Sequence, residues 1–396
     1  MENDNADEQE EYISQDDIEE LIDLDNEPIN DEGDEANFEA DMNDVIDDKS
    51  IGNFTDHNEA VLCCDVSKDD KLVVTGGQDD KAYVWETTTQ TIKFNIDGHK
   101  DSVVAAKFNS NSSLVATGDL SGVILVYDLT GKRCYDFEID DLNWLLWHPV
   151  ADNVLLAGTK TGEAWMWKLS QTNPQCKTFQ SYGSENICAK IFNDGKRITM
   201  GYEDGSVRIW DLKDANVISS ITDNQTTSGS VICIDLNSDN SLIAIGTVYA
   251  TVKVINVNTS KVILTIQTRS SDKSNEDEVE ENDSIEGVAF SGKNILALAS
   301  VNGVVEIWDI SGPVKRNDFK LDFGVSKISI DNSNLHLLYC GCLDGYFRVF
   351  DLRSCDLLMT AIGHTDQILD YAISSDSKYV LTCSEDSTCK IFLLKN

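Results

Sequence analysis

Apolar residues from position 51 onward fall into short runs of four to seven, each bounded by a cluster rich in Gly, Asp, Asn or Ser. The order repeats: an apolar strand, a turn containing Gly, then a second strand that closes on an aromatic or β-branched residue, often followed by Asp. The closing positions are Trp85, Tyr127, Trp167, Trp210, Ile255, Trp308, Phe350 and Phe392, at successive separations of 42, 40, 43, 45, 53, 42 and 42 residues. A period of that length, held over eight copies, predicts an array of small antiparallel sheets that bury their faces only by stacking on one another. Asp204-Gly205, Asn302-Gly303 and Asp344-Gly345 supply positive-φ residues and predict tight type I′ hairpins. Flanking runs such as Val207-Arg208-Ile209-Trp210 read as strands. The one long interval contains Ser270 to Ser284, where seven acids and one lysine collect without an apolar run. This reads as a solvated acidic loop, inserted between the fifth and sixth repeats without disturbing the array.

Composition changes near residue 50. Residues 1–50 hold 22 acids and one base, Lys49; the whole chain has 70 and 31, which leaves 48 and 30 for residues 51–396. The net charge of −39 therefore divides into −21 and −18. Both parts repel phosphate and anionic lipid, so neither nucleic-acid nor membrane contact is expected, and a basic protein partner is. The arm, residues 1–49, has too few apolar side chains to offset chain entropy and is expected to be mostly disordered, ahead of a folded region over 50–396. Within it Ser14-x-x-Asp17 resembles a capping box and Ile18, Leu21 and Ile22 share a helical face, so a short docking helix competes with a solvated tail. No window approaches the roughly 18 apolar residues of a membrane span, and the acidic N-terminus is unlike a signal peptide. A soluble monomer of the cytoplasm, with the nucleus as a further compartment, is expected. The eleven cysteines lie mostly in strand patterns, as at Cys188 and Cys233, without metal-ligand spacing. They read as reduced core thiols, and no metal or cofactor is expected.

The repeats resemble the WD-repeat family. Gly98-His99 and Gly363-His364 match its Gly-His element, and Trp210-Asp211 and Trp308-Asp309 its Trp-Asp pair. The resemblance covers residues 51–396 and implies an all-β, eight-bladed propeller behind the acidic arm. In that family each repeat supplies the outer strand of one blade and the inner three of the next. The resemblance thus implies that roughly residues 50–55 complete the blade ending at Lys395, so that N- and C-terminal strands share the last blade; an open ring would leave an unpaired edge. The family also ties blades with a hydrogen-bonded set of His, Asp, Ser or Thr, and Trp. Its matches here are His57, Thr75, Asp79 and Trp85 in the first repeat and His364, Thr382 and Asp386 in the last, where Phe392 replaces Trp. Repeats three to seven lack the His and are expected to rest on packing.

A closer resemblance is carried by Asn143-Trp144-Leu145-Leu146-Trp147-His148-Pro149, by Trp165-Met166-Trp167-Lys168, and by the run from Gly201-Tyr202-Glu203-Asp204-Gly205 to Leu212-Lys213. These stretches resemble the family of the angio-associated migratory cell protein and its fungal relative, the ribosome-assembly WD protein Sqt. That likeness implies a dedicated chaperone, holding one newly made basic large-subunit ribosomal protein of the L-ten (bacterial L-sixteen) type by its N-terminal segment. Such a client is basic in order to neutralise rRNA phosphate, and an acidic propeller face competes for the same charges.

In propellers the loops entering the inner strands and the turns between second and third strands share one surface. Aligning the repeats places Asp140, Asp141, Asn143, Glu185, Asp283, Glu286, Asp366 and Asp370 at or near the first inner-strand position, with Trp144 on one of those strands, and Asp119, Glu203, Tyr249 and Glu385 in the turns. This set is expected to form an acidic and aromatic rim that binds the partner. Trp144, between Leu142 and Leu145, is read as core or channel wall, with an anchor for a client side chain as the sharper alternative. Catalysis is not expected: the five histidines include three at the Gly-His position, and no nucleophile elbow, HExxH or phosphate-binding Gly loop is present. Fold alone does not fix the partner, so a scaffold in signalling, cell migration or ubiquitin-ligase assembly, and an acidic histone chaperone, stand as alternatives.

Overall fold

The computed structural model describes residues 47–394, apart from 171, 173, 223–228, 269–283 and 332. The acidic arm with its Ser14–Ile22 segment, and nearly all of the 270–284 insertion, lie outside the described residues. Thirty-two strands form eight four-stranded antiparallel sheets, and no helix occurs among the described residues. Blade 1 is Val61–Val66, Leu72–Gly77, Ala82–Glu86 and Ile92–Ile96, from inner to outer strand, and the next six blades repeat that order. The eighth takes Ile368–Ile373, Tyr379–Ser384 and Cys389–Leu393 from one end of the chain and Gly52–Phe54 from the other. Gly52 lies opposite Ile391 and Phe54 opposite Cys389, so the expected seal between the termini is present. The eight inner strands touch in a closed circle, Val61–Val66 meeting both Val103–Phe108 and Ile368–Ile373.

Burial follows from this geometry. A blade in the ring is covered on both faces by its neighbours, so its middle strands are apolar on both sides rather than alternating. Leu72–Gly77 is buried at every position. The outer strand reaches past that cover, and Ile92–Ile96 is buried fully only at Ile96. There is consequently no single central core but eight apolar clusters, one at each junction between blades. Cys63, Val74 and Val84 of blade 1 pack on Val103, Val115 and Leu125 of blade 2. Phe54, Trp85, Leu381 and Cys383 meet where blade 8 closes on blade 1.

Side chains of the inner strands also bond one blade to the next. Asp65 accepts the Phe108 N–H at 2.8 Å, Asp235 that of Phe290 at 2.8 Å, and Asp370 that of Cys64 at 3.0 Å. The thiols of Cys63, Cys188 and Cys233 donate to the carbonyls of Val103, Val231 and Ile285 at 3.3, 3.5 and 3.0 Å. All eleven cysteines are free thiols. Burial raises those of the core, pushing Cys188 up to about 12.

The hairpin turns depart from the expected type. Gly205, Gly303 and Gly345 have φ of +76°, +79° and +78°, but the Asp204, Asn302 and Asp344 before them are not left-handed. The Gly205 N–H donates to Tyr202 O and the Tyr202 N–H to Ser206 O, both at 3.0 Å. This is a type I turn closed by a left-handed glycine bulge, one residue longer than a type I′ turn. The glycine is required in either case, which is why the sequence signal is the same for both.

Candidate functional site

One hydrogen bond recurs in all eight blades and defines a face. A residue just past the second strand donates its N–H to the entrance of the inner strand: Gln78 to Ala60, Leu120 to Ser102, Lys160 to Asp141, Glu203 to Glu185, Val248 to Ser230, Val301 to Ser284, Leu343 to Gly324 and Glu385 to Gln367, at 2.8–3.2 Å. Entry loops and inter-strand turns therefore share one surface around the channel. Its exposed carboxylates among the described residues are Asp56, Glu59, Asp80, Asp97, Asp101, Asp140, Asp141, Glu203, Asp204, Asp322, Asp366 and Glu385. The exposed bases there are Lys81, Lys100 and Lys160. Two of these are engaged, Lys100 with Glu138 at 2.8 Å and Lys160 with Asp141 at 3.4 Å.

The opposite face differs. It exposes Lys68, Lys71, Lys132, Lys196, Lys213, Lys293, Arg353 and Lys378 against Asp69, Asp194, Asp214, Asp239, Asp356 and Asp376. The two signs nearly balance there, and half of the bases are locally paired, as in Lys71–Asp69, Lys293–Asp239 and Lys378–Asp376. Net negative charge is thus not spread evenly over the ring but concentrated on the entry-loop face. A surface of one sign attracts and orients a partner of the other.

The residues expected at the rim divide into three groups. Asp140, Asp141, Glu203, Tyr249, Asp366 and Glu385 are exposed on this face. Glu185 and Glu286 are half-buried, Glu185 accepting a hydrogen bond from Asn143 Nδ2 at 2.9 Å and Glu286 one from Ser284 Oγ. Asp119, Trp144 and Asp370 are corrections. Asp119 is fully buried and accepts from His99 Nδ1 at 3.1 Å, Lys100 N–H at 2.8 Å and Val123 N–H at 2.9 Å. Trp144 is core of the junction between blades 3 and 4, its ring against the backbone of Gly158 and its Nε1 donating to Asn186 Oδ1 at 3.1 Å. Asp370 is saturated: Lys327 Nζ holds one oxygen at 2.5 Å and the Cys64 N–H the other at 3.0 Å.

Asp119 belongs instead to the blade-stabilising sets. His57 bonds Asp79 at 2.9 Å and Thr75 at 3.0 Å; His364 bonds Asp386 and Thr382, both at 2.8 Å. His99 does the same with Asp119 at 3.1 Å and Thr117 at 2.8 Å, so three blades carry the set. The second was hidden because its acid comes two residues after the threonine, where the other two come four after. Burial opposes ionisation of Asp119, but the His99 bond and the N–H donors outweigh it and hold the carboxyl at about 2. Trp85 does not join its set: its Nε1 is buried without a hydrogen-bond partner, and its ring stacks on Phe54 at 4.7 Å. His148 ties blade 3 to blade 4, accepting the Ala151 N–H at Nδ1 (2.9 Å) and donating from Nε2 to Gly195 O (2.8 Å).

Sequence alignment missed Asp56, Glu59, Asp80, Asp101, Asp204 and Asp322, which lie one to four residues from the aligned positions. It also missed two exposed aromatics on the same face, Tyr182 and Phe323, at 56% and 55% exposure. Tyr182 and Tyr249 line an open groove of about 440 Å³ between blades 4 and 5, with Glu203 and Asp204 in its wall.

Known proteins resemble this chain along most of its length. The model of the WD domain, G-beta repeat, matches residues 48–86, 90–128 and 174–211, and that of the Nucleolar protein 10-like N-terminal domain matches residues 218–395. The human angio-associated migratory cell protein is 38% identical over 88% of this chain and 81% of its own length. The ribosome assembly protein SQT1 of Saccharomyces cerevisiae is 24% identical over 96% of this chain and 93% of its own. The crystal structure of that yeast Sqt1 superposes with a TM-score of 0.79 at 20% identity, covering 88% of this chain and all of the other. Sqt1 from Chaetomium thermophilum, solved bound to the N-terminus of the ribosomal protein L10, gives 0.78 at 21% identity over 87% of this chain and all of the other. At such identities the structural likeness is one of fold.

Proposed function

Because this chain belongs to the angio-associated migratory cell protein family of WD-repeat propellers, we propose that it is a non-catalytic binding protein. Its task is that of a dedicated chaperone, which captures a newly made basic ribosomal protein of the L10 type by its N-terminal segment for large-subunit assembly. The observation that carries this reading is the polarity of the ring, with acids gathered on the entry-loop face and charges of both signs on the other. A client of many lysines and arginines is drawn to that face at a rate set by charge, while a few desolvated contacts select it. The Chaetomium relative was solved bound to the N-terminus of the ribosomal protein L10. The acidic segments 1–49 and 270–284 add polyanionic charge that raises capture further. Capture begins where the client is synthesised, so the cytoplasm is the compartment of this work, with the nucleus as a further one.

The test is titration of the purified protein with a peptide of the N-terminal segment of its own L10-type protein, at several salt concentrations. Tight binding that weakens steeply with salt is expected. Joint charge reversal at Asp141, Glu203 and Glu385 is expected to abolish it while the melting temperature holds. Equal affinity for a scrambled peptide of the same charge would refute a dedicated chaperone.

A further inference from the structure

We propose that the groove between blades 4 and 5 is a seat for one arginine side chain of the client, an inference that rests on the chaperone reading. Tyr182 and Tyr249 line it from different blades, and each keeps about half its surface in solvent, at 56% and 45%. Large rings are rarely left so open beside each other without a partner to cover them. Both are held in place. Tyr182 rests on the Trp210 ring at 6.0 Å and on the Arg208 guanidinium at 4.6 Å. Tyr249 lies against Gly229, where a Cβ would fall 2.5 Å from the ring carbon Cδ2 at a φ of +56°. Only glycine lets that ring take its position.

Charge specifies the occupant. Glu203 and Asp204 stand in the wall, and the Glu203 carboxylate has no hydrogen-bond partner among the described residues. Arg208 is buried beneath, stacked also on Tyr202 at 4.2 Å, with its Nε and Nη1 unbonded and Asp204 3.7 Å away. Two carboxylates against one guanidinium leave a surplus of one negative charge, which one incoming cation balances. Exposed aromatic faces favour a flat, weakly hydrated guanidinium over an ammonium, so the cation is arginine rather than lysine. Glu203 supplies the free acceptor, and the two rings supply stacking surface and exclude water from the contact.

The test uses the full-length protein and the same N-terminal peptide of the L10-type protein, with each arginine changed in turn to citrulline. Tyr182→Ala and Tyr249→Ala should each weaken binding about 3- to 30-fold, the range from an exposed to a desolvated cation–π contact, and Tyr→Phe at either site should retain it. One citrulline should lose the same factor and lose nothing more in the Tyr249→Ala background. Tyr249 touches no core ring, so its variant keeps the comparison valid if Tyr182→Ala lowers the melting temperature. The seat is overturned if Tyr249→Ala binds the parent peptide as the wild type does while the Asp141, Glu203 and Glu385 reversal still abolishes binding; the chaperone reading then survives alone. Failure of the wild-type protein to bind the peptide overturns both.

Discussion

Asp119 and Glu203 carry the same charge and occupy nearly equivalent turns of their blades, yet one is consumed by the fold and the other faces solvent. The difference lies in what surrounds each oxygen. Asp119 has a histidine, a serine hydroxyl and two backbone N–H groups within hydrogen-bond reach. Its carboxyl therefore sits at about 2, below its ordinary 3.8, so ionised Asp119 stabilises the fold above pH 4 and the stabilisation is lost as pH falls towards 2. Asp119→Asn is expected to cost about 2 kcal/mol at neutral pH, a loss that shrinks between pH 4 and 2 as the wild-type carboxyl itself protonates. Denaturant melts across that pH range would show it, and a loss independent of pH would contradict the assignment. Trp144 makes the same point for an aromatic. Trp144→Ala should cost about 3–5 kcal/mol through the cavity and the Asn186 Oδ1 left without its donor. A client anchor would instead lose affinity at constant stability.

At the scale of elements, the least redundant strand is also among the shortest. Gly52–Phe54 is three residues long, but it covers the edge of Cys389–Leu393 and inserts Phe54 between the first and last blades. Neighbouring bonds reinforce it: Ile51 N–H to Ile391 O at 2.8 Å, Lys49 N–H to Ile362 O at 3.0 Å, and the ion pair of Asp48 with Lys390. A chain begun at Asp47 is expected to melt as the full chain does. One begun at His57 should lose about 3 kcal/mol of stability or more, that of a lost core phenylalanine, so that it melts lower and self-associates through the freed strand edge. Calorimetry and light scattering at two concentrations distinguish the cases, and equal melting of both truncations would mean that the seal contributes nothing.

For the whole molecule the consequential property is the polarity between faces. Net charge alone would attract a basic client to any side of the ring, whereas a one-sided field also orients it. Asp141→Lys, Glu203→Lys and Glu385→Lys together are expected to slow association at low salt about 10-fold or more, and Lys213→Glu with Lys293→Glu on the far face to leave it within about 2-fold. Stopped-flow rates at two salt concentrations measure both. If reversal on the two faces had equal effects, only the total charge would matter.

The period of the strands and the glycines of their turns were legible in the order of residues, and the segment that seals the ring was legible through the family resemblance that the period carries. These are local properties, written in short apolar runs, in glycines at turns and in a spacing that recurs along one dimension. Which acids remain free was not legible. Asp119, Asp370 and Asp204 look alike in the chain, and what sorts them is brought close only by the fold: His99, 20 residues from Asp119, and Lys327, 43 residues from Asp370. The meeting of Tyr182 and Tyr249 in one groove between two blades is of the same kind. Exposure and pairing depend on distances in three dimensions, which no pattern of neighbours along the chain encodes.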